Sequence, residues 1–476
     1  MEKFFKLKEN GTNVKTEIIA GLSTFMTMAY IIALNPNLLT GFGANGGQPL
    51  WNAVFLATIL SAFAGTLLMA LLANKPFALA PGMGLNTYFA TVVASIAAAA
   101  SIPYTQAFGA GLAIILISGI LFTILTLMKI REKIVKAIPQ AVRLGIPAGI
   151  GLMLVNIGLT TNAGVFGADG SAFYMLTNFF TNGPSATAGA MAQAGANYSL
   201  IVLFVIAAFV GVFSIAVLHH KKVTGSVLLG MLLSSVVYWI GSFILGINPF
   251  ESLKTASFIP PFKDMLDMTF FRFDFKSLFS IGVFSAIMTI ISFCMVDMFD
   301  TIGTLYGTAK RANMLDKDGE LPGMNRAMLA DSLATCVGAC TGTSTVTTFI
   351  ESAAGVEEGG RTGLTSLVTA VLFLACMFIA PIAGLIPAPA TSAALIFVGV
   401  LMMGSLKEVD YSDITQAVTV VLMLIFMMVT SGVGNGIGIG LIAYSILKIC
   451  TGKFKEVSWL TIVLALLFLG KFFIVF

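Results

Sequence analysis

Four carboxylates stand inside otherwise apolar stretches: Asp297 and Asp300 in FCMVDMFDTIGTLYG, Asp331 in MLADSLAT and Glu351 in TVTTFIESAAG. An ionisable group in the hydrocarbon core costs energy, so each is a candidate for function. Asp297 and Asp300 are three apart, hence neighbours on one helix face. Their plain alternative, shared by Asp331, is a carboxylate that caps or bonds an adjacent helix. Phe349 supplies an aromatic plate two residues before Glu351, and Asn86 an amide that both donates and accepts. Plate, carboxylate and amide together suit a flat molecule edged with N–H donors and C=O acceptors, and a nucleobase is such a molecule. These stretches hold no Lys or Arg for a phosphate or carboxylate cargo, which counts against anionic solutes.

The elements that must position these groups are irregular. PFALAPGMGLNTYFATVV has two prolines and two glycines where a span should be smooth, and CTGTSTVTTFIESAAGV is short and rich in β-branched and hydroxyl residues. Both predict an extended stretch running to mid-membrane, then a half-helix whose N-terminus points into the protein. Short or Gly/Pro-interrupted spans at matching places of two repeats mark a transporter site. Half-helix N-termini also present free N–H groups to ring nitrogens and oxygens.

The rest of the chain is membrane. Of 476 residues, 57% are hydrophobic and 10% charged, against roughly 25% charged in soluble domains. Many runs approach the roughly 20 residues a helix needs to span the hydrocarbon, and Gly- and Ala-rich sequence favours helices over a barrel. Apolar runs fall near 18–39, 51–74, 78–95, 107–130, 135–160, 199–218 and 222–246, then near 280–308, 323–342, 344–356, 364–385, 390–406, 412–431 and 433–450. A last stretch, 457–476, is either an extra span or an interfacial helix, with Lys471 inside it. The N-terminus lacks the pattern of a cleaved signal peptide. The five cysteines lie in or beside apolar runs, which predicts thiols rather than disulfides.

With the N-terminus in the cytoplasm, Lys75, the Lys129, Arg131, Lys133, Lys136 cluster, His219–Lys222, Lys310, Arg311 and 448–455 all fall inside, as the positive-inside rule requires. Seven spans is an odd number, so the second seven must be inverted. Ala57, Leu60 and Gly65 match Ala330, Leu333 and Gly338 at one offset, and Ile138, Pro139 and Gly151 match Ile386, Pro387 and Gly399 at another. Inverted repeats let one packing exist in two mirror-related states, open to either side. An enzyme finds no support, since the chain lacks HExxH and a Ser/His/Asp set, and His219 and His220 sit at a membrane edge. A sensor would append a soluble module, and a continuous pore fits paired buried carboxylates poorly.

The segments GTNVKTEIIAGLSTFMTMAYIIALNPNLL, VDMFDTIGTLYGTA, GTSTVTTFIESAAGV and ALIFVGVLMM strongly resemble the AzgA-like branch of the nucleobase–cation symporters, the hypoxanthine, guanine and adenine permeases of the xanthine/uracil permease superfamily. The resemblance covers essentially the whole chain. It implies an all-α polytopic membrane protein of the uracil-permease fold: 14 transmembrane segments as two inverted seven-span repeats, with short strands meeting in spans 3 and 10. It divides the chain into a cytoplasmic 1–17, a core domain (18–134 and 277–386), a gate domain (135–276 and 387–456) and a C-terminal apolar helix, 457–476. The family's substrate carboxylate falls on Glu351, its aromatic neighbour on Phe349 and a purine-recognition position on Asn86. D-T-I-G-T resembles the E-H-V-G-H of uracil permeases, which places Asp300 at the acidic position. Thr304 replaces the second His, so an imidazole relay does not carry over. Ser352 and Gly84 complete the expected substrate-binding set. Asp410 matches a further acidic position, or is a solvated loop residue.

The expected mechanism is proton-coupled import of an oxopurine. Glu351 and Asp300 hold the base, one of them is protonated in transport, and Asp297 shares the proton. A carboxyl removed from water favours its neutral form, so it can load a proton on one side and release it when the cavity wets. Na+ is the alternative coupling ion, and uracil, xanthine or an inorganic anion the alternative cargo. No cofactor, metal or nucleic-acid partner is expected. The expected setting is the cell membrane, in which homodimers are common for this fold.

Overall fold

The apolar runs form helices because in lipid a backbone has only its own hydrogen-bonding groups to pair with. The computed structural model describes residues 2–41, 43–128, 137–160, 163, 198–311, 314–316 and 321–473. The basic cluster from Lys129 to Lys136 and most of the loop 161–198 lie outside the described residues. The first half comprises α1 (Val14–Met28) and α2 (Ile31–Leu39), which share one span, then α3 (Gly47–Leu68), β1 (Leu79–Pro81) leading into α4 (Met83–Ala100), α5 (Tyr104–Leu127), α6 (Gln140–Leu159), α7 (Tyr198–His220) and α8 (Ser226–Ile244). The second comprises α9 (Val283–Arg311), α10 (Met324–Thr341), β2 (Val346–Thr348) leading into α11 (Ser352–Glu357), α12 (Gly363–Ala375), α13 (Ala388–Met402), α14 (Ile414–Thr430) and α15 (Val433–Cys450). Each half therefore runs helix, helix, strand with half-helix, then four helices, the order expected from sequence. Among the described residues 11 helices are long and apolar enough to cross a membrane. Ile206, Phe213 and Val217 on α7, and Val421, Ile425 and Val429 on α14, form exposed apolar rows that suit lipid rather than water.

Close packing shows the repeat. A Cβ on Gly151 would lie 2.4 Å from the Gly399 carbonyl oxygen, and one on Gly399 would lie 2.5 Å from that of Gly151. Two residues paired by the sequence repeat thus meet each other across α6 and α13, as residues on a pseudo-twofold axis must. Gly65 on α3 and Gly338 on α10, another matched pair, both pack against Val346 of the strand pair.

β1 and β2 pair antiparallel, with Leu79 opposite Thr348 and Pro81 opposite Val346. Ladder bonds run from Phe349 N to Ala78 O and from Gly82 N to Thr345 O, both 3.0 Å. Bonded rows alternate in an antiparallel ladder, so Pro81, which has no N–H, sits on a row that asks for none. The non-bonded rows point their backbone groups outward, and side chains pair with five of them. Thr66 Oγ1 accepts from Leu79 N at 2.9 Å and donates to Leu79 O at 3.0 Å. Asp331 Oδ1 accepts from Thr348 N at 2.8 Å. Thr335 Oγ1 donates to Val346 O at 3.2 Å, and Asn86 Nδ2 to Pro81 O at 3.3 Å. A two-stranded ribbon survives in the membrane because α3, α4 and α10 complete its edges.

Outside this centre, the fully buried Glu17 of α1 caps α12. Its carboxylate accepts from Arg361 N at 2.9 Å, Thr365 N at 3.0 Å, Thr362 Oγ1 at 2.8 Å and Thr365 Oγ1 at 2.7 Å. A negative group on the orphan N–H groups of a helix start also complements its dipole. Glu17→Ala is expected to cost about 2–3 kcal/mol, the scale of charge-assisted bonds, read as a lower melting temperature in detergent, with Glu17→Gln falling between.

The C-terminal stretch forms α16 (Trp459–Phe473). Phe468 and Phe472 lie against Gly438 of α15, while Trp459, Leu466 and Phe473 are exposed. At 15 residues α16 is an apolar helix shorter than the 11 that are long enough to cross a membrane.

Candidate functional site

The four intramembrane carboxylates come together around the strand pair. α9 brings Asp297 and Asp300, α10 brings Asp331, and Glu351 stands immediately before the first turn of α11. Among the described residues no ion pair involves any of them. Exposure divides the four. Asp297 and Asp331 are 0% exposed, whereas Asp300 and Glu351 are only partly covered.

Asp331 is a structural clamp. Besides Thr348 N, it accepts from Thr348 Oγ1 at 2.8 Å and from Thr301 Oγ1 at 2.6 Å, tying β2 to α9 and α10. Asp297 accepts from Thr335 Oγ1 at 2.9 Å, and its other oxygen has no protein partner. Asp300 accepts one long bond, 3.4 Å, from Thr347 Oγ1. The same side of α9 carries Gly303 and Gly307, where a Cβ would meet nothing within 4 Å.

Glu351 Oε1 accepts from the Tyr30 hydroxyl at 2.6 Å, and Thr27 Oγ1 donates to the Glu351 carbonyl oxygen at 3.3 Å. Tyr30 stands in the interruption between α1 and α2. Sequence reasoning missed it: the only signal was a lone phenol in MAYIIALNPNLL, and its distance in sequence from Glu351 hides the contact. Phe349 is buried, its N–H engaged in the ladder.

The remaining candidates lie within the packed frame around the strand pair. Ser352 Oγ accepts from Ala78 N at 2.9 Å. Asn86 is buried and also accepts from Ser344 Oγ, so its amide binds both broken elements together. Thr304, buried one turn beyond Asp300, accepts from Thr308 Oγ1 at its carbonyl. A Cβ on Gly84 would lie 2.2 Å from Ile150 Cγ2, so Gly84 is where α4 presses against α6. Gly84→Ala is expected to cost about 1–3 kcal/mol by overpacking and to depress transport. Adding Ile150→Ala should restore both, as measured by thermal stability and uptake of the double variant. Asp410 is exposed and bonds Ser412 N and Oγ, which hold its carboxyl below the usual range.

A model of the Permease family, Xan_ur_permease, matches residues 15–439. The chain belongs to this family. Relatives of this permease include the guanine/hypoxanthine permease PbuO of Bacillus subtilis, 40% identical over 99% of this chain and 100% of that one. The adenine permease AdeP of Escherichia coli is 35% identical, covering 99% of this chain and 95% of its own. Among solved structures, the transmembrane domain of a cyanobacterium bicarbonate transporter, BicA, superposes with a TM-score of 0.62 at 18% identity over 90% of this chain and 97% of that one. That likeness concerns the fold, which the permease shares. Family and relatives are transporters, not enzymes.

Proposed function

We propose that this permease imports purine nucleobases, hypoxanthine and guanine foremost and adenine as a further candidate, by proton symport with alternating access. The observation that carries the reading is the pair of half-buried, uncompensated carboxylates, Asp300 and Glu351, beside Phe349 at the meeting of two broken spans. A carboxylate accepts ring N–H groups, and the aromatic plate takes the ring face. Asp300 and Glu351, with no cation partner among the described residues, disfavour an anionic cargo. The names of the relatives, guanine/hypoxanthine and adenine permeases, point the same way.

In this reading Glu351 and Asp300 hold the base and one of them takes the proton. Asp297, sealed and with one oxygen unpartnered, shares that proton. Asn86, Ser352, Gly84 and Thr304 complete the proposed substrate-binding set, and the bonds of Asn86 and Ser352 also hold the two broken elements together. The spans 1–4 and 8–11 move as a core past a gate of spans 5–7 and 12–14, in a cell-membrane homodimer with the N-terminus in the cytoplasm. The test is uptake of radiolabelled hypoxanthine into proteoliposomes under an imposed proton or sodium gradient, with unlabelled bases and anions as competitors. Proton coupling predicts accumulation with acid outside, collapse with a protonophore and indifference to sodium. Uptake driven by sodium alone overturns the coupling, and competition by bicarbonate but not by purines overturns the cargo.

A further inference from the structure

The contact between Tyr30 and Glu351 has consequences for which base is preferred. Tyr30 is 0% exposed, and its hydroxyl reaches Glu351 Oε1 at 2.6 Å. It cannot easily swing away. Thr27 Oγ1, three residues earlier, donates at 2.8 Å to the Thr24 carbonyl of its own helix and lies 3.3 Å from the Glu351 carbonyl oxygen, and Gly355 of α11 packs so tightly on α1 that a Cβ there would lie 2.1 Å from Thr24 Oγ1. α1 and the start of α11 are thus one packed unit, and one lone-pair site of Glu351 Oε1 is taken before any cargo arrives.

A carboxylate with both oxygens free can take two adjacent N–H donors at once, as it does from a guanidinium. Guanine presents such an edge, a ring N–H beside an exocyclic amino group. Hypoxanthine presents the ring N–H alone. We propose that Tyr30 is a specificity-determining residue: by taking one of the two lone-pair sites of Glu351 Oε1 it weakens that oxygen as the acceptor of a second N–H and so narrows the preference for guanine over hypoxanthine. The inference rests on the reading that Glu351 holds the base.

The experiment compares KM for labelled guanine and labelled hypoxanthine in proteoliposomes of the intact protein and of Tyr30→Phe, which removes only the hydroxyl. The expected result is a shift of the KM ratio toward guanine by about tenfold, the scale of one charge-assisted hydrogen bond. Thr27→Ala, which loosens the same interface without touching the carboxylate, should leave the ratio unchanged. Equal shifts for both bases, or none, overturn the proposal, as does a Thr27→Ala ratio that moves with Tyr30→Phe. If Tyr30→Phe fails to reach the membrane, Tyr30→Met, flexible and free of the hydroxyl, carries the same comparison. Loss of both variants assigns Tyr30 to the fold alone and also overturns it. Failure of the intact protein to take up either base refutes the underlying assignment instead.

Discussion

Purine uptake by Glu351→Gln is expected to fall about 10- to 100-fold, the equivalent of one lost charge-assisted bond at about 1.5–3 kcal/mol, while the protein still accumulates in the membrane. The substitution keeps shape and volume. It replaces an acceptor oxygen with an N–H₂ group that confronts the ring N–H donors it should receive, and it removes the negative charge. Tyr30 can still donate to the remaining amide oxygen, so the packing of α1 on α11 should hold and thermal stability change little. Asp300→Asn should act in the same direction. Among the described residues Asp300 makes a single bond, of 3.4 Å, so losing its charge removes little from the fold. Initial-rate uptake of labelled hypoxanthine, normalised to membrane abundance, decides the matter. Undiminished uptake by both variants would sink the proposed mechanism.

Asp331→Ala should fail differently, by unfolding. Its carboxylate receives one backbone N–H and two hydroxyls, all buried. The hydroxyls can rotate toward other acceptors, but Thr348 N cannot. It faces away from its partner strand, on a row where the ladder offers nothing. An orphaned amide costs about 1–3 kcal/mol, and the lost bonds to a charged acceptor add to it, so about 3–5 kcal/mol is expected. The measurement is the melting temperature of the detergent-solubilised protein. Asp331→Asn, whose amide oxygen can still accept from Thr348 N, should recover part of the loss. Unchanged stability in Asp331→Ala alongside lost uptake would instead make Asp331 a transport carboxylate and contradict the clamp.

The contrast between Glu351 and Asp331 also separates what could be foreseen from what could not. Both are acids in apolar runs, and from sequence they look alike. The chain by itself determined the membrane class, the order of spans, their division into two sevens and the two broken elements, because hydropathy, proline and glycine act over a few residues and leave their mark locally. It likewise marked the four carboxylates, since a charge in an apolar run stands out wherever it lies. Which acid faces open space and which is walled in was decided only by the tertiary structure. So were Tyr30 on Glu351, Glu17 on the start of α12, and Thr66, Thr335 and Asn86 along the strand edges. Each of these is a hydrogen bond of about 3 Å made by an ordinary polar residue, in several cases to a partner hundreds of residues away. Nothing in the local sequence distinguishes a threonine that completes a buried strand from one that bonds its own helix. The difference lies in which backbone groups the other half of the molecule leaves unpaired, and that exists only once the two repeats have packed.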